Sequence, residues 1–156
     1  MSNVCLVSAC LLGIKCRYDA RSVADLSREL KDAGYIPVPV CPEQFSGLPT
    51  PRECCEIAGG DGMDVIDGRA RVLTQSGKDV TDYFLRGAEI ALRICRIVEA
   101  EVAFLKELSP SCGVSKIYDG SFTGRIKEGC GVTAACLKRN GIAVYGLKNG
   151  QPEIEK

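Results

Sequence analysis

The sequence predicts an α/β fold: a compact three-layer α/β domain built on a mostly parallel, Rossmann-like sheet, with a small β-hairpin beside it. Two observations carry this prediction. Short apolar runs of strand length alternate with amphipathic stretches of helical period, the pattern that builds a parallel sheet covered on both faces. The 156 residues also suffice for one real core, since a domain of that length buries roughly 70% of its unfolded surface.

Taken in order, Cys5-Leu6-Val7 open an apolar run suited to a central strand. Ser22 is placed to cap a helix with Val23, Leu26, Leu30 and Ala33 on its apolar face and Gly34 as its stop. Residues 35–40 form a second strand in which Pro37 and Pro39 alternate. Both missing donors then face one neighbour, so the strand belongs at an edge or bonds mainly on its other side. Two short runs between residues 63 and 73 flank Asp67-Gly68, a type I′ hairpin signal.

Thr81 is placed to cap a long helix presenting Phe84, Ala88, Ala91, Leu92, Cys95 and Val98 on one face. Residues 102–105 make a third strand that leads into Ser109-Pro110-Ser111-Cys112-Gly113. A last helix, 131–139, ends at Asn140-Gly141 and feeds a strand at 142–145. Residues 1–148 read as a single domain and 149–156 as a C-terminal tail.

Composition narrows the chemistry. Twenty basic residues balance twenty acidic ones, which argues against nucleic acid as a partner, because that binding draws on a basic surface. No histidine is present, so Ser-His and Cys-His pairs, imidazole bases and imidazole metal ligands are excluded. Acid–base work falls to Glu, Asp, Lys, Tyr, Cys or water, and metal binding to sulfur or carboxylate oxygen.

Ten cysteines then become the dominant signal. Val7-Ser8-Ala9-Cys10 mimics a lipoprotein cleavage box, but no basic residue precedes it, so the run reads as a strand and its turn. No segment approaches the ~20 apolar residues of a membrane span. A cytoplasmic location is expected, where thiols stay reduced and clustered cysteines serve metals or catalysis.

In an open parallel sheet, ligands collect beyond the carboxyl ends of the strands. Cys10 lies just past the first predicted strand, Cys41 directly after the second and Cys112 after the third. Parallel strands bring these three thiols to one edge, although the chain contains no C-x-x-C. Three thiolates without a fourth suit an open site, and zinc and a four-iron cluster satisfy the pattern equally. Cys5, Cys95 and Cys136 fall on apolar faces and read as packing. Cys16 reads as a spare ligand, a sulfur acceptor or a packed residue, while Cys54, Cys55 and Cys130 lie in loops.

Glu43, two residues after Cys41, is the first candidate for acid–base work. Ser109 and Ser111 are placed to bond cluster sulfide or substrate. Gly129-Cys130-Gly131, at a helix start, offers backbone donors to an anion. Arg17-Tyr18-Asp19 and Asp79-Val80-Thr81 either contact substrate or shape their loops.

The chain also resembles a known family. The residues that carry the resemblance are Ser8-Ala9-Cys10-Leu11-Leu12-Gly13, Arg17-Tyr18-Asp19, Val40-Cys41-Pro42-Glu43, Gly47-Leu48-Pro49-Thr50-Pro51-Arg52, the run 105–113, Ile117-Tyr118-Asp119-Gly120 and Gly131-Val132-Thr133-Ala134-Ala135. Together they resemble the family first described as domain of unknown function 523, whose best-understood members are thiouracil desulfidases.

The resemblance implies a [4Fe–4S] cluster held by Cys10, Cys41 and Cys112, with one iron free to take the thiocarbonyl sulfur of a thiolated pyrimidine. It implies Glu43 as the proton-handling carboxylate and Ser109 as a positioning or proton-relay hydroxyl. The implied partner is a small thiolated nucleobase or related thioamide. Cys54-Cys55 and Cys130 depart from the family pattern. Two other functions compete: a cluster- or zinc-binding sensor without turnover, and a sulfur carrier for thiolated RNA, which the neutral charge disfavours.

Overall fold

Four parallel strands set the geometry of everything else. A computed structural model describes residues 3–147. Strands β1 (Val4–Ser8), β2 (Ile36–Val40), β5 (Val102–Lys106) and β8 (Ala143–Leu147) form one sheet in the order β2-β1-β5-β8. Every neighbouring pair in it is parallel. Helices α1 (Ser27–Asp32), α4 (Thr81–Ile97) and α5 (Val132–Arg139) supply the crossovers. The remaining elements are α2 (Pro42–Phe45), α3 (Gly62–Ile66), the antiparallel pair β3 (Cys55–Ala58) and β4 (Arg71–Thr74), and the antiparallel pair β6 (Lys116–Tyr118) and β7 (Ile126–Glu128).

Alternation along the strands divides the core into two layers. Leu6, Ala103 and Leu105 pack with Cys95, Ala134 and Leu137 of α4 and α5. Cys5, Val7 and Phe104 face the other way and pack with Leu26 and Leu30 at α1. A third cluster, including Ile57, Val65, Val72 and Phe84, lies under the β3–β4 pair. The mostly parallel sheet between helices thus follows the sequence expectation.

The edge assignment of the second strand also holds. β2 has β1 as its one neighbour, with Pro37 opposite Cys5 and Pro39 opposite Val7. The Ile36 N–H donates to Asn3 O at 2.8 Å, so the alternating prolines turn their donor-free side outward.

Three local expectations are corrected. The helix expected from Ser22 begins only at Ser27, because the preceding donors go elsewhere: the N–H groups of Val23 and Ala24 reach Cys10 O, and that of Leu26 reaches Leu11 O. Asp25 then accepts from the Ser27 N–H at 3.0 Å.

The hairpin centred on Asp67-Gly68 does not form. Residues 62–66 are helical, started by a capping box of Asp61 and Asp64, and β4 pairs instead with β3. Helix α4 has Val80 rather than Thr81 as its N-cap residue; Asp79 accepts from the Thr81 N–H at 2.9 Å, while Thr81 Oγ1 accepts from Val72 N. The tail 149–156 lies outside the described residues.

Candidate active site

β1 sits between β2 and β5, so the chain crosses over in opposite directions around it and leaves a crevice at its carboxyl end. That crevice is a cavity of about 310 Å³. Cys10, Cys41, Cys112, Glu43 and Ser109, the residues singled out from sequence, all line it, as does Cys16.

Each thiol is fixed by a different local device. Cys10 sits in the 3₁₀ turn Ala9–Leu11 that ends β1, with its carbonyl bonded to Val23 and Ala24. Cys41 is the N-cap residue of α2, with Pro42 at the first helical position, where the missing N–H costs nothing.

Cys112 lies in the loop after β5, and Glu107 moulds that loop. The 7% exposed Glu107 carboxylate accepts from the N–H groups of Val114 at 2.7 Å, Ser115 at 3.0 Å and Lys116 at 3.3 Å, and from the Ser115 hydroxyl. Burial works against its charge, yet these bonds hold its carboxyl below the usual range.

The same loop spends the N-terminus of α5. Val132 N donates to Pro110 O at 2.9 Å, Thr133 N to Ser111 O at 2.9 Å and Gly131 N to Gly113 O at 2.8 Å. Cys130 N is turned to Asp61. The anion site expected at Gly129-Cys130-Gly131 is therefore absent, since its donors already hold the loop that carries Cys112 in place.

The thiols crowd one another. Cys41 Sγ is 3.7 Å from Cys16 O. A hydrogen bond to the Cys10 thiol, together with burial, pushes the Cys16 thiol up to about 12. The Cys41 thiol is raised by its bond to Cys16 and by burial. Burial lifts Cys112 to about 11, against the hydroxyls of Ser8 and Ser111.

Without a cation these groups stay protonated; coordination reverses the order, because thiol ligands lose their protons on binding. Sulfur-only donors are soft ligands that suit an iron–sulfur or zinc centre. Among the described residues, no three thiols or carboxylates close on a point to hold a metal ion. The thiols instead ring a space with room for a multi-atom group. A cluster therefore fits the residues present.

Glu43 meets a cation with one oxygen and a hydroxyl with the other. Arg52 Nε donates to its Oε1 at 3.0 Å, and the two side chains are 5% and 14% exposed, Arg52 first. Its Oε2 accepts from Ser111 Oγ at 3.1 Å. Ser109 Oγ lies 3.2 Å from Ser111 Oγ and accepts from the Cys112 N–H at 3.0 Å. The hydroxyl chain thus runs from Ser109 through Ser111 to Glu43, and Ser111 Oγ also approaches Cys112 Sγ at 3.7 Å.

Cations and aromatic rings complete the walls. Lys106, the last residue of β5, donates to Glu107 O at 2.8 Å and lines the cavity. Burial lowers its pKa, and the nearby Cys10 opposes that. Tyr18, Tyr118 and Phe122 line the outer part, with the Arg17 guanidinium 5.7 Å from the centre of the Tyr18 ring. Glu56 accepts from the N–H groups of Gly120 and Phe122, and Phe122 adopts a positive φ of 56°. A bulky residue held there is backbone strain of the kind that clusters at functional sites.

The family model described as 2-thiouracil desulfurase matches residues 5–148. The chain belongs to the 2-thiouracil desulfurase family. It is 46% identical over 140 residues to the uncharacterized protein YbbK of Bacillus subtilis (strain 168), covering 89% of this chain and 92% of YbbK. Among solved structures it is similar to the [4Fe-4S]-dependent thiouracil desulfidase TudS, with a TM-score of 0.77 and 43% identity. That likeness covers 91% of this chain and 89% of TudS.

The other cysteines divide between the core and the cavity wall. Cys5 and Cys95 are core residues, and Cys130 packs at 4% exposure beside Asp61. Cys54 and Cys55 line the cavity, where Cys54 Sγ approaches Gln75 Oε1 at 3.4 Å.

Sequence reading assigned no role to Arg52 or Lys106. Arg52 closes the Pro49-Thr50-Pro51-Arg52 run, yet nothing in that run indicates which carboxylate it meets nine residues back in the chain. Lys106 ends an apolar strand, and that position at the ligand-binding edge was the available signal.

Proposed function

We propose that this chain is a [4Fe–4S]-dependent, non-redox desulfidase that replaces the thiocarbonyl sulfur of a thiouracil-like pyrimidine with oxygen. The observation that carries the reading is the convergence of Cys10, Cys41, Cys112 and Glu43 on one cavity, in a member of the 2-thiouracil desulfurase family. Cys10, Cys41 and Cys112 are the residues that would hold the cluster. Bound there, the cluster supplies a Lewis-acidic iron with affinity for sulfur, which polarises the carbon–sulfur bond.

The protein's own groups do the rest. Glu43 Oε2 accepts the proton of the water that attacks the substrate carbon, because Oε1 is engaged by Arg52. Ser111 and Ser109 carry a proton along their hydroxyl chain toward the departing sulfur. The sum is C=S plus H₂O giving C=O plus H₂S, which leaves as hydrosulfide and a proton, with no change in the oxidation level of carbon. Tyr18, Tyr118 and Phe122 offer ring faces to a planar base, and Lys106 lines the same cavity as Cys10, where its ammonium hydrogens can be offered to the anionic product. A small-molecule partner and a cytoplasmic setting accord with this chemistry.

Anaerobic reconstitution tests the reading. The protein is expected to turn brown, to hold roughly four iron and four sulfide per chain, and to convert 2-thiouracil to uracil with release of hydrosulfide. A colourless protein carrying one zinc overturns it.

A further inference from the structure

Arg52 spends its whole guanidinium on the wall of the cavity. Nε donates to Glu43 Oε1 at 3.0 Å. Nη1 donates to Thr50 Oγ1 at 2.9 Å and Pro49 O at 3.2 Å. Nη2 donates to Cys16 O at 2.9 Å. Two of its three nitrogens are thereby anchored to the backbone of separate segments and to a threonine that Gln44 also holds, at 2.8 Å. A planar fork so fixed cannot follow a carboxylate that moves.

The consequence falls on Glu43. One oxygen is pinned to an immobile cation, and the other faces the Ser111 hydroxyl at 3.1 Å. The charge balance needs the same residue. Glu43 shares the cavity wall with Cys41 and Cys112, and thiolates held there would repel its carboxylate. Arg52 is the counter-ion in contact with it.

We propose that Arg52 is a positioning residue for desulfuration: its fork holds Glu43 in the one arrangement that presents Oε2 to the cavity, and it acts on the reaction only through Glu43. The proposal rests on the desulfidase reading above.

A double-mutant cycle tests it in the anaerobically reconstituted protein, with iron and sulfide content measured alongside turnover of 2-thiouracil. Arg52→Met is expected to lower kcat about 30- to 100-fold, with KM within about 3-fold and the cluster content of the parent. In a Glu43→Gln background the same substitution should cost less than about 2-fold, because residues acting as a unit are not additive. Arg52→Lys keeps the charge without the fork and should stay about 10-fold below the parent; if Arg52→Met does not fold, this variant carries the cycle.

An anaerobic crystal structure of the variant supplies a readout apart from turnover, and Glu43 is expected to leave its Arg52-facing rotamer. Additive losses, a rise confined to KM, a rate that merely tracks iron content, or full rescue by lysine each overturn the proposal. Failure of the parent to desulfurate thiouracil would defeat the functional reading instead, whereas an unmoved Glu43 in the variant structure would defeat this one.

Discussion

Glu43 and Glu107 are carboxylates at the same edge of one sheet, both largely removed from water, and the fold uses them in opposite ways. Glu107 is saturated by donors from a single loop, the N–H groups of 114–116 and the Ser115 hydroxyl. It is also hemmed in by β8, where a Cβ on Gly146 would lie 2.4 Å from Oε2. Glu43 is divided between a fixed cation on one oxygen and a hydroxyl chain on the other. A carboxylate whose lone pairs are filled by backbone donors organises structure. One that ends a hydroxyl chain beside a cavity retains the capacity to move a proton.

The largest effect that sharpens this contrast is on turnover. Glu43→Gln should lower kcat about 10²- to 10³-fold, the usual range for losing a positioned proton acceptor, while iron and sulfide content stay at the parent level. Steady-state assays with metal analysis check it. Unchanged turnover would take the proton-handling role away from Glu43.

Glu107→Ala should act on stability instead. Removing a buried acceptor from several donors costs about 3 kcal/mol in unfolding free energy, read by urea denaturation. Cluster retention should fall with it, because the loop carrying Cys112 loses its mould. Parent-like stability with lost turnover would reverse the two assignments.

Gly131→Ala should weaken the same loop from its other support. Its Cβ would lie 2.5 Å from Ser111 C, a backbone clash that no side-chain rotation relieves. A loss of about 2 kcal/mol is expected, measured in the same way.

The smallest effect is on pH. The folded pKa of Glu107 is held below its ordinary value of 4.5. Its contribution to stability is therefore fully present above pH 4.5 and is lost as pH falls through the lowered folded value. Glu107→Gln should flatten that acid limb of the stability curve, and a steep limb that persists assigns acid sensitivity to other carboxylates.

Legibility differed sharply between elements. The four sheet strands and helices α4 and α5 were readable because burial on both sides of a parallel sheet leaves unbroken apolar runs, and amphipathic period survives in long helices. The segments at 22–26 and 63–66 were misread because their fate depends on distant groups. The first gives its N–H groups to the turn holding Cys10 and Leu11. The second is started by the Asp61–Asp64 capping box, a local helix signal that competes with the turn signal of Asp67-Gly68. Cys130 shows the same limit at the site, as its flanking glycines resemble an anion cradle until the 110–113 carbonyls are seen to occupy it.

Sequence alone determined which atoms are available for chemistry: ten thiols, no imidazole and a neutral balance of charge. It also determined the edge at which three of those thiols emerge, since strand order of this class directs loop residues there. Only the tertiary structure decided how the acidic residues divide their work. The difference between Glu43 and Glu107 lies in which donors reach each carboxylate, and those donors come from Arg52, Ser111 and the 114–116 turn. Hydrogen bonds between such segments are set by the packing of the sheet and its helices, so no local pattern of residues records them.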